Sequence, residues 1–107
     1  MSISKYLKGF GAGLVGLAML SLPANLSAKE IKIGVIYDYT GPLAAGGSSL
    51  HALGAKIMID YFNSIGGVEG YKINAIYADA QSKPEIAINE AVRLIEQEKV
   101  DMLMGFY

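Results

Sequence analysis

Three short apolar runs, EIKIGVIY at 30–37, YKINAIYA at 71–78 and VDMLMGF at 100–106, are separated by two stretches long enough for a helix. The first run has almost no polar face beyond Lys32, which is how a strand covered on both sides of a parallel sheet reads. Between the first two, Asp38 to Gly47 (DYTGPLAAGG) carries turn signals, and Ser48 or Ser49 is expected to cap a helix that runs to about Ile65. Leu50, Leu53, Ile57, Met58, Tyr61 and Ile65 fall on one helical stripe, with Lys56, Asp60 and Asn63 off it. Gly66-Gly67 ends this helix in left-handed backbone, and Val68-Glu69-Gly70 completes the turn into a strand that stops at Asp79. Ser82-Lys83-Pro84-Glu85 spells a capping box before a second helix, expected to reach about Glu98. Its expected inner face is Ala87, Ile88, Ala91, Val92, Leu94 and Ile95. Strands alternating with helices imply an α/β fold, β-α-β-α-β, with parallel pairing and right-handed crossovers. The expected strand order is second, first, third, with one helix on each face.

The first 28 of the 107 residues contain no acidic residue. Lys5 and Lys8 precede an apolar and glycine run from Phe10 to Leu20, and Pro23 and small residues lead to Ala28. Positive start, short apolar core and small-residue exit make residues 1–28 a secretory signal peptide, with cleavage expected after Ala28. The apolar core is shorter than the roughly 20 residues that a membrane span needs. Gly11-Ala12-Gly13-Leu14-Val15-Gly16 matches the dinucleotide-binding pattern by letter, yet no strand precedes it, so it reads as part of the export core.

Residues 29–107 form the remaining unit. It is small for an open parallel sheet and is expected to be the N-terminal part of a longer ligand-binding domain.

Composition narrows the chemistry. With no Cys and a single His, His51, the chain has no thiolate metal site, no Cys nucleophile and no disulfide framework. Nine basic residues against ten acidic ones give no basic face for nucleic acid. No nucleophile, base and orienter can be assembled, so the chain is read as no enzyme, with no catalytic residue, metal or cofactor. Ligands of open α/β sheets bind beyond the carboxyl ends of the strands, where Asp38–Gly47 and Asp79–Lys83 meet. Gly46-Gly47 before a helix N-terminus either present backbone N–H groups to an anion or only shape the turn. Asp38 and Asp79 end neighbouring strands and read either as a carboxylate pair or, more simply, as loop caps.

Several signatures over residues 30–107 resemble periplasmic substrate-binding proteins of the branched-chain amino acid (Leu/Ile/Val-binding) family. They are T-G-P after the first strand, N-x-x-G-G-V-x-G before the second, D followed by P-x-x-A at the second helix, and G after the third strand. The resemblance implies a type I periplasmic-binding fold, in which two α/β lobes close on a small solute. It implies a periplasmic receptor that delivers an amino acid, amide or aromatic acid to the membrane permease of an ABC importer. It also implies a ligand-binding set of Tyr39, Leu43, Gly46, Gly47, Ser48 and Tyr107. Amino-acid-binding members place a large aromatic where this chain has Gly46, a departure that leaves room for a bulkier solute. A sensor domain or a periplasmic enzyme on a similar sheet is the alternative.

Overall fold

The computed structural model describes residues 29–105. The expected signal peptide, residues 1–28, and Tyr107 lie outside the described residues. The elements are β1 (Glu30–Tyr37), α1 (Ser49–Ser64), β2 (Lys72–Asp79), α2 (Pro84–Glu96) and β3 (Met102–Gly105). All three strands are parallel in the order β2-β1-β3, as the alternating pattern implies. Glu30 pairs with Lys72 and Tyr37 with Asp79, so β1 and β2 end level at their carboxyl ends. The chain steps from β1 to one neighbour and then returns across β1 to the other. Right-handed crossovers in opposite directions place the two helices on opposite faces of the sheet.

The core lies on the α2 face. Ile36, Ala78, Ala80, Ala87 and Leu94 are buried together, with Ile76, Ala91 and Val100 packed against them. The expected inner face of α2 is only partly right: Ile88, Val92 and Ile95 stand 62%, 46% and 52% exposed. They lie to one side of the Ala87–Ala91–Leu94 stripe, which alone meets the sheet. The helix ends at Glu96, two residues short of the expected limit. Ser82 caps nothing: Lys83 is the N-cap residue, no side chain bonds the first turn, and Pro84 opens it.

On α1 the expectation inverts. Leu50, Leu53, Ile57, Met58, Tyr61 and Ile65 are all at least half exposed, and Ala52, Ala55 and Ile59 are the buried residues. Ser48, Ala52, Ala55 and Ile59 recur at i, i+4, i+7 and i+11, and this small-residue stripe faces the sheet. The helix is apolar on two opposite sides, and the smaller residues take the sheet because they permit close approach. Its C-terminal end is fastened by Asn63, whose amide donates to the Ile73 carbonyl and accepts the Ile73 N–H, both at 2.8 Å. That pair of bonds satisfies both backbone groups of Ile73, one residue of the open edge of β2.

At the other edge, the Lys32 N–H donates to Asp101 Oδ2 at 2.7 Å and the Asp101 N–H to the Lys32 carbonyl at 2.8 Å. Gly105 closes β3 with φ 134°, and a Cβ there would lie 1.7 Å from the Ile36 carbonyl oxygen. Only glycine lets β3 run this close to the end of β1. Among the described residues no helix is long and apolar enough to cross a membrane.

Candidate functional site

The carboxyl end of β1 is the point where the chain's connections part to opposite sides, the usual position for a ligand crevice in an open α/β sheet. Two loops meet there, one from β1 to α1 and one from β2 to α2. The first enters helical geometry earlier than expected. A wide turn over Ala44–Ser48, kinked at Gly47 (φ 133°), leads directly into α1. Neither serine caps the helix as expected. Ser48 is helical and wholly buried, and its Oγ accepts the Asp38 N–H at 2.9 Å. Ser49 Oγ donates back to the Ala44 carbonyl at 2.8 Å.

The expected cradle of free N–H groups is correspondingly reduced. The Ala44 N–H donates to the Gly41 carbonyl, and the Ser49 N–H to the carbonyls of Ala44 and Gly47. Helix amides already bonded within the chain offer little to an anion.

Two carboxylates fasten the loops to each other. Asp79 Oδ1 accepts the N–H groups of Tyr39 (3.0 Å), Thr40 (3.2 Å) and Gln81 (2.9 Å), while Oδ2 takes the Thr40 hydroxyl at 2.7 Å. Asp38 is buried, and its Oδ1 accepts the Ser82 N–H at 2.6 Å. Ser82 Oγ accepts the Leu43 N–H at 2.9 Å and donates to the Thr40 carbonyl at 3.4 Å. Partial burial pushes the Asp79 carboxyl up, but the Thr40 hydroxyl and the N–H groups of Gln81, Thr40 and Tyr39 outweigh it. The group therefore sits below the ordinary aspartate value. Burial and the nearby charges of Tyr77, Tyr37 and Asp79 raise the Tyr39 phenol.

Gln81 and Ser82 both adopt left-handed backbone, φ 56° and 55°, at a cost of order 1–3 kcal/mol each for non-glycine residues. The Gln81 N–H donates to Asp79 and the Ser82 N–H to Asp38, so the carboxylates hold this conformation. Gly41 (φ 90°) sits where the loops touch. A Cβ on it would lie 2.6 Å from both the Gln81 carbonyl oxygen and Ser82 Oγ. Asp38 and Asp79 thus act as loop fasteners, the simpler of the two sequence-based alternatives. Among the described residues no group of three or more His, Cys, Asp or Glu side chains converges on a metal position.

Two hollows flank the clasped loops. One, of about 150 Å³, lies between the end of β1 and the first turn of α2, and Ile36, Asp38, Leu43, Ser82, Pro84 and Ala87 line it. The other, of about 360 Å³, lies between α1 and β2 and is lined by Tyr39, Ser49, Ala52, Leu53, Lys56 and Tyr77. Tyr39 meets Tyr77 edge to face, with ring centres 6.5 Å apart. Leu43 and Tyr39 therefore face different hollows. Gly46 is exposed, and a Cβ added there would meet nothing within 4 Å. Ser48 lies behind the loop, and His51 is exposed on α1. Thr40 and Gln81 are parts of the clasp that the sequence did not single out, and Ser82, read there as a helix cap, is a third. The local signals were the Thr-Gly-Pro turn, the polar residues directly after Asp79 and the capping-box spelling at Ser82.

The sequence profile of the family described as Periplasmic binding protein matches residues 30–107. The Leu/Ile/Val-binding protein homolog 7 of Brucella abortus is 36% identical over 96 residues, covering 88% of this chain and 24% of its own length. An amino acid binding protein of Pseudomonas aeruginosa is 30% identical over 102 residues, covering 94% of this chain and 27% of its own. The chain spans about a quarter of the length of the curated relatives it matches. Among solved structures, the branched-chain amino acid transporter substrate binding protein LivJ of Streptococcus pneumoniae, in complex with isoleucine, superimposes with TM-score 0.69. It is 32% identical, over 73% of this chain and 22% of that one. A putative branched-chain amino acid ABC transporter protein from Silicibacter pomeroyi gives TM-score 0.63 at 32% identity, over 70% and 19% of the two chains. With the strand order, the paired loops and a profile that runs from β1 to the last residue, this chain belongs to the periplasmic binding protein family.

Proposed function

We propose that residues 29–107 form the first part of the first lobe of a solute receptor that serves an ABC importer, exported by a signal peptide over residues 1–28. In this reading the chain binds rather than transforms its solute, and the β1–α1 loop makes one wall of the cleft. Residues Tyr39, Leu43, Gly46 and Gly47 belong to that wall, Ser48 supports it from behind, and Tyr107 completes the expected ligand-binding set. The observation that carries the proposal is the position of this loop, clasped through Asp79 at the carboxyl end of the central strand. The solute class follows from the relatives, which are named for Leu, Ile and Val binding or for amino acid binding, and from the isoleucine in the LivJ complex. The open space over Gly46 favours a solute bulkier than leucine, such as an aromatic acid or a larger amide.

The test is calorimetric titration of the full-length receptor and its Gly46→Trp variant against L-leucine, benzoate and benzamide. The parent is expected to prefer the bulkier solute, and Gly46→Trp to weaken it while leaving or improving leucine. Tight binding of leucine with no response to benzoate overturns the size argument. An unchanged profile in Gly46→Trp means that this loop does not line the cleft.

A further inference from the structure

We propose that Asp79, on the neighbouring strand, is the positioning residue that gives the β1–α1 loop its ligand-competent shape without touching the solute itself. The inference rests on the reading of that loop as a cleft wall. Asp79 reaches across from the end of β2 and gathers three N–H groups and one hydroxyl, three of these four donors belonging to Tyr39 and Thr40 at the start of the wall. The fourth, the Gln81 N–H, comes from a left-handed residue of the opposite loop. Each loop is therefore shaped by the same carboxylate. The register explains why this works: Tyr37 and Asp79 are level partners, so the carboxylate at the end of β2 emerges beside the point where β1 passes into its loop. The Ala80 N–H, bonded to the Tyr37 carbonyl at 2.9 Å, fixes the backbone on which Asp79 sits. Gly41 then lets the loops close to contact, since any side chain there would strike Gln81 and Ser82. A wall shaped before the solute arrives spares binding the entropy of ordering it, and loss of the clasp should appear as weaker binding.

The distinguishing variants are Asp79→Ala, which removes every acceptor, and Asp79→Asn, whose amide oxygen accepts the same N–H groups and whose NH2 can donate to the Thr40 hydroxyl. Thr40→Val, which deletes one bond at an exposed position, serves if Asp79→Ala does not fold. Two readouts are taken on the full-length receptor: amide hydrogen exchange at Tyr39 and Thr40, and calorimetric affinity for L-leucine and for benzoate. Asp79→Ala is expected to speed exchange at both amides and weaken whichever solute binds by about tenfold, with Asp79→Asn within about threefold of the parent. Leu94→Ala, a cavity in the α2 core, is expected to lower the melting temperature while leaving affinity intact, which a purely structural role for Asp79 would not separate. The exchange readout decides the clasp without any solute, and unchanged exchange in Asp79→Ala overturns the proposal. Faster exchange with unchanged affinity, while Gly46→Trp does change affinity, overturns the positioning role but leaves the wall. Faster exchange with affinity unmoved by either variant shows instead that the wall reading has failed, and the proposal falls with it.

Discussion

The Asp38 N–H reaches Ser48 Oγ at 2.9 Å across ten residues of chain, in a position from which water is excluded. The bond ties the first residue of the β1–α1 loop to its last, so the loop is closed on itself as well as clasped to its neighbour. Ser48→Ala leaves the Asp38 N–H buried without a partner, which costs about 1–3 kcal/mol. Urea denaturation of the full-length receptor is expected to show a loss of that size. An unchanged midpoint would mean that the loop carries its shape without this bond.

Two of the loop glycines, Gly41 and Gly46, respond oppositely to a methyl group. Gly41→Ala combines left-handed backbone with contacts of 2.6 Å to the facing loop, and it is expected to lower stability by about 2 kcal/mol or more. Gly46→Ala meets empty space in a helical turn without left-handed backbone, so it should be neutral or stabilising by up to about 1 kcal/mol. Thermal melts of the two variants side by side check the pair. Equal destabilisation would show that Gly46 is pinned by something other than space.

Most of the fold was legible because two different periods alternate along the chain, and with parallel strands in the order β2-β1-β3 right-handed crossovers put one helix on each face. The inner face of α1 was not legible. Leu50, Leu53, Ile57 and Tyr61 form the larger apolar stripe, and only packing reveals that Ser48, Ala52 and Ala55 are the residues near enough to the sheet. Periodicity ranks side chains by hydrophobicity, whereas close approach selects them by size. The clasp was legible only in part. Asp38 and Asp79 stood out at the strand ends, but their partners are mostly backbone N–H groups, which every residue possesses. Asn63 shows the same limit: it lies off the apolar stripe, yet it bonds both backbone groups of Ile73.

Acid should loosen the clasp in a defined direction. The folded Asp79 carboxyl sits below its ordinary value of about 3.9, so its contribution is complete above that pH and is lost as pH falls through the folded value. The group is only partly buried, and solvent screening keeps the contribution small. Asp79→Asn cannot take up this proton. Urea midpoints of the parent should therefore fall more steeply than those of Asp79→Asn below about pH 4. Parallel acid limbs for the two proteins would show that Asp79 releases no stabilising contacts on protonation.

The outer stripe of α1 sets how residues 29–107 behave when produced alone. Leu50, Leu53, Ile57 and Tyr61 stand 70%, 54%, 57% and 53% exposed, directly opposite the face that meets the sheet. Met58 and Ile65 widen the patch, and Ile88, Val92 and Ile95 add a second one on α2. Contiguous apolar surface of this kind drives association in water, and β2 and β3 each present an outer edge for strand pairing. The isolated segment is expected to self-associate at micromolar concentration and to bind a hydrophobic dye. Two charges placed on the stripe, Leu53→Lys and Ile57→Lys, remove apolar area without touching Ser48, Ala52, Ala55 or Ile59, so the sheet contact survives. Size-exclusion chromatography with light scattering should then show a shift toward monomer at unchanged circular dichroism. Persistent association in the double variant would place the contact at the strand edges, and a monomeric parent would show that the stripe is harmless in water.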